Sequence, residues 1–194
     1  MEKPELEKPG AGLPLIDSLV MRFYLGPFVS RRQSKDMNLR LFSVLGSRML
    51  KEADGVPANA RDEQVLVPRM RGIEDSSRFW SVNETLEHVM IVGAGMRGLI
   101  KALAEGGKSD FVVRVEDFKP KGKYRGGDAR GDFRAFLDET AATLKPLAIV
   151  DGGPKHRHPW FGEINALQWS WILSGHTQIH LSQLIAIKNG FKRP

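Results

Sequence analysis

The chain has 194 residues, 41% hydrophobic and 27% charged, which is ordinary globular material and long enough to bury a substantial core. It contains no cysteine, which excludes disulfides, thiolate-held zinc, iron–sulfur clusters and an internal thiol nucleophile. A formal net charge of +6 invites nucleic acid as a partner, but the basic residues are dispersed.

The one basic cluster, Lys119, Lys121, Lys123, Arg125 and Arg130, reads as a solvated loop, so nucleic acid ranks low among partners. Met1-Glu2-Lys3-Pro4-Glu5 lacks the basic-then-apolar pattern of a secretory leader. No apolar run approaches the ~18 residues needed to span a bilayer. The expectation is a soluble, cytoplasmic protein with no membrane partner.

Residues 1–33 read as an N-terminal arm. Pro4, Pro9, Gly10 and Gly12 break up its start, and a short amphipathic piece from Pro14 to about Leu25 is interrupted by Gly26-Pro27. The remainder, 34–194, reads as one domain. A helix from about Ser34 to Ala53 places Met37, Leu41, Val44, Leu45 and Met49 at spacings of three and four, and Gly55 with Pro57 stops it. Residues 56–79 form a long connection in which Val65-Leu66-Val67 is locally extended.

The second helix starts at Ser81, where Ser81-x-x-Glu84 is a capping-box pattern. Its stripe is Val82, Leu86, Val89, Met90, Gly93, Met96, Ile100 and Leu103, closed by Gly106-Gly107. After the basic loop, Asp132 to Leu144 carries Phe133, Phe136, Leu137, Ala141 and Leu144 on one face, and Pro146 ends it. The last helix opens with a second capping-box pattern, Asn165-x-x-Gln168, and runs to about Asn189. Four long amphipathic helices joined by irregular connections imply an all-α fold, a four-helix bundle.

On the last helix Trp169, Leu173, His176, His180 and Gln183 fall on one stripe. Residues i and i+4 of a helix face the same way, so His176 and His180 present two imidazoles from one turn. Leaving buried ring nitrogens unpaired costs roughly 1–3 kcal/mol each, and an ion bound to both rings removes that burden. His88, on the flank of the second helix's stripe, is the candidate third ligand. Three neutral imidazoles suit a divalent ion (Zn, Ni, Fe or Mn) with an open position. Glu84, one turn before His88, is either a cap only or an acid–base residue beside the ion. His156 and His158, next to Pro159, read as exposed loop histidines or as hydrogen-bonders at the start of the last helix.

A rival motif overlaps the second helix. Val89 to Val92 followed by Gly93-x-Gly95-x-x-Gly98, with Glu116 and Asp117 beyond Phe111-Val-Val-Arg-Val115, also fits a strand and dinucleotide-binding turn. The capping box and the continuing helical spacing argue against it, and no further strand–helix alternation follows to supply a parallel sheet.

Trp80-Ser81-x-x-Glu84-x-x-x-His88, then His158-Pro159-Trp160-Phe161-Gly162, then Gln168-Trp169 ahead of His176-x-x-x-His180, resembles the DinB/YfiT-like superfamily of four-helix-bundle metalloproteins. The resemblance covers roughly residues 35–190. It implies that His88, His176 and His180 bind a divalent metal. It also implies a metal-dependent transferase moving a low-molecular-weight thiol to an electrophile, or a hydrolase. Such thiols commonly carry carboxylates, which the Lys119–Arg130 loop would attract. A homodimer is a further expectation, because members pair through helix faces and Trp171 lies off the histidine stripe. The alternatives are an NAD(P)-binding oxidoreductase through Gly93, Gly95 and Gly98, and a non-catalytic stress-response binding module.

Overall fold

A computed structural model describes residues 4–8, 10, 12, 19–107, 109 and 115–191. Among them the fold is mainly α, with long helices α1 (Lys35–Asp54), α2 (Val82–Ala104), α3 (Arg130–Leu144) and α4 (Ala166–Gly190). The starts follow local chemistry. Ser34 Oγ accepts the Met37 N–H at 3.3 Å ahead of α1. Both sequence-level capping boxes form completely, Ser81 with Glu84 at α2 and Asn165 with Gln168 at α4. Each satisfies backbone donors that a helix start otherwise leaves orphaned.

Packing joins α1 to α4, α4 to α2, α2 to α3 and α3 to α1. Each helix thus has two principal neighbours, and α1 does not pack extensively on α2, nor α3 on α4. The connections between those pairs each contain a two-stranded antiparallel ladder. In the first, β1 (Val65–Leu66) pairs with β2 (Phe79–Trp80), so Val65-Leu66 is extended as the sequence suggests. In the second, β3 (Lys155–His158) pairs with β4 (Gly162–Asn165), His158 opposite Gly162. Gly162 has φ +76°, which a side chain would strain. Helix α4 is buried around most of its surface, including Trp169, Leu173, Thr177, Leu181 and Leu184, because it lies between α1 and α2.

Three expectations need correction or completion. On α1 the buried face is Asn38, Leu39, Phe42, Gly46, Met49, Leu50 and Ala53, while Met37 and Val44 are 46% and 57% exposed. Two overlapping three-and-four stripes run along this helix, and the one with Phe42 and Gly46 is buried. A Cβ at Gly46 would collide with Leu137, so this glycine lets α3 seat closely. Near the N-terminus, Met21–Val29 is a π-helical stretch that passes through Gly26-Pro27 instead of stopping there, with Ser30 N–H donating to Leu25 O at 2.9 Å. The part of the amphipathic piece at 14–18 lies outside the described residues.

The third concerns the rival motif. Helix α2 is continuous through Gly93, Gly95 and Gly98, so the phosphate-cradling turn of an NAD(P) site is not formed there. Gly93 lies under the Phe136 ring of α3, where a Cβ would collide with it. Close helix approach, not phosphate binding, requires that glycine. The extended piece expected at 111–114 lies outside the described residues. Among the described residues no helix is long and apolar enough to cross a membrane.

Candidate metal centre

Packing of α2 on α4 brings the candidate histidines together. Ring centroids lie 5.1 Å apart for His88 and His176, 4.5 Å for His88 and His180, and 4.4 Å for His176 and His180. One ring nitrogen from each lies within 4.8 Å of the others, so this buried triad could hold a metal ion. Trp80 of β2 closes one side, its ring 4.8 Å from His88 and stacked at 6.0 Å on His180.

The surroundings fix which nitrogens are bare. His88 Nδ1 lies 2.7 Å from the Phe118 carbonyl oxygen, which can only accept. Nδ1 therefore carries the proton and Nε2 keeps its lone pair. Gln183 Nε2 donates to the Ser77 carbonyl at 2.6 Å, which turns its Oε1 toward His180 Nδ1 at 2.8 Å. His180 is thereby held as the same tautomer, with Nε2 bare. An acceptor on the remote nitrogen is the arrangement that orients metal-binding histidines. His88 Nε2 and His176 Nε2 are 3.2 Å apart. Two imidazoles sharing a tetrahedral ion at ~2.0–2.1 Å place their nitrogens about 3.3 Å apart, so the spacing fits.

Electrostatics keep these rings neutral. Burial depresses His88 and His176 well below the usual histidine range, and the neighbouring His180 adds to it. Burial takes His180 down to about 4, against a smaller upward pull from the Gln183 bond. Neutral rings offer the lone pairs a cation needs.

The triad lines a cavity of about 100 Å³. Ile73, Val92, Met96, Trp160 and Trp169 make its apolar wall, and Glu74, Ser77 and Lys119 bring polar groups to it. His158 belongs here too, which corrects the exposed-loop reading. It is 6% exposed at the end of β3, its ring 5.0 Å from Trp169. Its Nδ1 accepts the backbone N–H groups of Trp160 at 3.1 Å and Phe161 at 3.4 Å, and burial takes it down to about 3. The signal that could have found it was the His158–Gly162 run, which looks like a loop until β4 folds back on β3. His156 lies on the same strand, its ring 6.1 Å from Trp169, and does not line the cavity.

Glu84 is not brought to the triad. Its carboxylate takes the Ser81 N–H at 2.8 Å and Gln64 Nε2 at 2.9 Å, and it lines a separate surface depression with Asp62 and Asn83. The cap and Gln64 occupy the group that acid–base chemistry would need. The basic loop is also less available than its composition suggests. Lys119 Nζ donates to Ser76 Oγ at 2.7 Å and Ser77 Oγ at 2.6 Å and lies 3.5 Å from Glu74, while Lys123 pairs with Asp132 and Arg130 with Asp128 and Asp54. Burial lowers the Lys119 ammonium from its usual range, and Glu74 opposes this.

Glu87 carries no motif, and the sequence reading missed it. Its carboxylate accepts the N–H groups of Lys121, Gly122 and Lys123 at 3.0–3.2 Å. Adjacent residues of α2 therefore clamp the 118–123 loop, Glu87 by that nest and His88 through Phe118. No family model matches this chain, and no curated protein or solved structure matches it either.

Proposed function

We propose that the chain is a divalent-metal enzyme on a DinB/YfiT-like four-helix bundle, with His88, His176 and His180 as its ligands. One observation carries the reading. His88 and His180 each give their Nδ1 proton to a fixed acceptor, His88 Nε2 lies 3.2 Å from His176 Nε2, and one ring nitrogen from each of the three lies within 4.8 Å of the others beside an apolar cavity. The α1–α4–α2–α3 sequence of helix contacts supports the bundle.

A bound divalent ion would supply a Lewis acid that lowers the pKa of a protic group toward neutrality and polarises a carbonyl. The protein's share is orientation. Phe118 O and Gln183 hold the ring tautomers, Trp80 walls the triad, and Trp160 and Trp169 line the cavity beside it. The reaction is transfer of a small-molecule thiol: the thiol gives its proton to water, its sulfur bonds to an electrophilic carbon, and the bond from that carbon to its leaving group breaks, the group departing with the electron pair. With no cysteine in the chain, that thiol comes from a separate molecule.

Elemental analysis of tag-free protein tests the centre. About one ion per chain is expected, lost in His176→Ala and kept in His156→Ala; unchanged metal in His176→Ala would sink the assignment. For the chemistry, metal-loaded protein should accelerate conjugation of a low-molecular-weight thiol to an activated electrophile, and His180→Ala should not. Turnover of esters or amides without any thiol would make it a hydrolase instead. Fully loaded protein with no rate on either panel would make it a binding module.

A further inference from the structure

Five buried side-chain polar atoms lack a hydrogen-bond partner among the described residues, and three of them belong to residues lining the one cavity beside the triad: Glu74 Oε1, Trp169 Nε1 and His176 Nδ1. Buried polar atoms are almost always paired, so such a concentration calls for a missing partner. Glu74 is the most pronounced case. It is 5% exposed, and its two oxygens are treated unequally. Oε2 takes the Gly10 N–H at 3.3 Å and Ser76 Oγ at 3.3 Å and faces Lys119 Nζ at 3.5 Å, whereas Oε1 has nothing. A carboxylate spreads its charge over both oxygens, so Oε1 is as strong an acceptor as its crowded partner. Trp169, 1% exposed, supplies the complementary feature, an indole N–H with no acceptor.

We propose that this cavity binds a small molecule with an apolar body and a hydroxyl or amino group, whose hydrogen is taken by Glu74 Oε1, with the Trp169 indole N–H available to an acceptor atom of the same ligand. The apolar wall of Ile73, Val92, Met96 and Trp160 receives the body. The available space is on the order of a single aromatic ring. Lys119 contributes charge balance rather than a contact, because Ser76, Ser77 and Glu74 occupy its donors. The pair therefore favours a neutral donor group over a second cation. This deepens the functional reading by naming the ligand class of the same cavity, but it rests on the cavity and not on the ion.

Phenol and toluene, nearly identical in shape and differing in the hydroxyl, are the probes. Both are titrated into EDTA-treated and metal-loaded protein, followed by the four indole N–H signals in ¹⁵N NMR. Phenol should bind about ten-fold tighter than toluene or better, since hydrogen bonds to charged groups are the strong ones, and should move the Trp169 indole signal. In Glu74→Leu the preference should vanish while toluene binding persists. Should that variant fail to fold, Glu74→Gln, which keeps the shape but removes the charge, must lower the preference several-fold. Equal affinities in the unaltered protein, no phenol binding, or a preference that survives in a folded Glu74 variant overturns the proposal, leaving ordered water as the partner of these atoms. Because the EDTA-treated arm contains no ion, its failure leaves the metal reading standing. Loss of the metal reading likewise leaves this result intact.

Discussion

Helix α2 carries two buried polar clusters on its first turns, and they differ in one respect. Around Asn83 everything is paired. Its Nδ2 donates to Asp62 at 2.8 Å and to Gly127 O at 3.1 Å, and its Oδ1 accepts Ala129 N–H at 3.2 Å. Glu87 is filled by three loop amides, and Arg61 donates to Ala53 O and Val56 O as well as Asp128. Around His88 the bonds run only part of the way: Phe118 O and Gln183 hold the Nδ1 atoms of His88 and His180, His176 Nδ1 has no partner among the described residues, and one nitrogen of each ring lies within 4.8 Å of the others. A satisfied network fixes the structure, while a half-satisfied one costs stability unless something fills it. The first cluster is closed on itself, and the second could hold an ion.

Acid separates the two most strongly. Each buried histidine has a folded pKa depressed below the unfolded value of ~6.5, so the unfolded chain takes up protons first as pH falls. The stability contributed by keeping these rings neutral is complete above pH 6.5. It is lost on descending toward the folded values, about 4 for His180 and about 3 for His158. The loss is about 1.4 kcal/mol per pH unit for each ring. Metal-free protein should therefore show a steep fall in thermal midpoint between pH 6.5 and 4. A flat profile there would mean that the rings are not buried neutral.

Next in size is the first cluster. Asn83→Ala leaves several buried groups unpaired and should cost about 2–4 kcal/mol by denaturant unfolding, with metal stoichiometry unchanged in the folded fraction. An equal loss of metal would erase the distinction between the clusters. Gln183→Leu probes the opposite case: removing the acceptor that holds His180 should weaken metal binding roughly 10–100-fold in a competition titration. The smallest effect belongs to Glu84→Ala, which deletes half of a capping box. About 1 kcal/mol of stability should be lost with metal affinity unmoved, and a large change in affinity would return Glu84 to the site.

The helices and their starts were legible in the sequence because the rules that make them act within four residues. Ser81 with Glu84 and Asn165 with Gln168 form the caps their spacing implies, and His176 with His180 share a face because one turn separates them. Local rules could not choose between the overlapping stripes of α1. That choice depended on Gly46 receiving Leu137 of a distant helix. They could not tell that Gly93 serves Phe136 and not a phosphate, nor that His158 is buried once β3 and β4 pair over Trp169. Glu74 had no pattern at all, since its importance comes from the cavity that residues 72–77, α2, the 118–119 turn, the β3–β4 turn and α4 enclose together. The sequence by itself determined the helices and the two-histidine turn. Only the tertiary structure decided which polar atoms would be buried without partners, because desolvation depends on neighbours brought in from far along the chain.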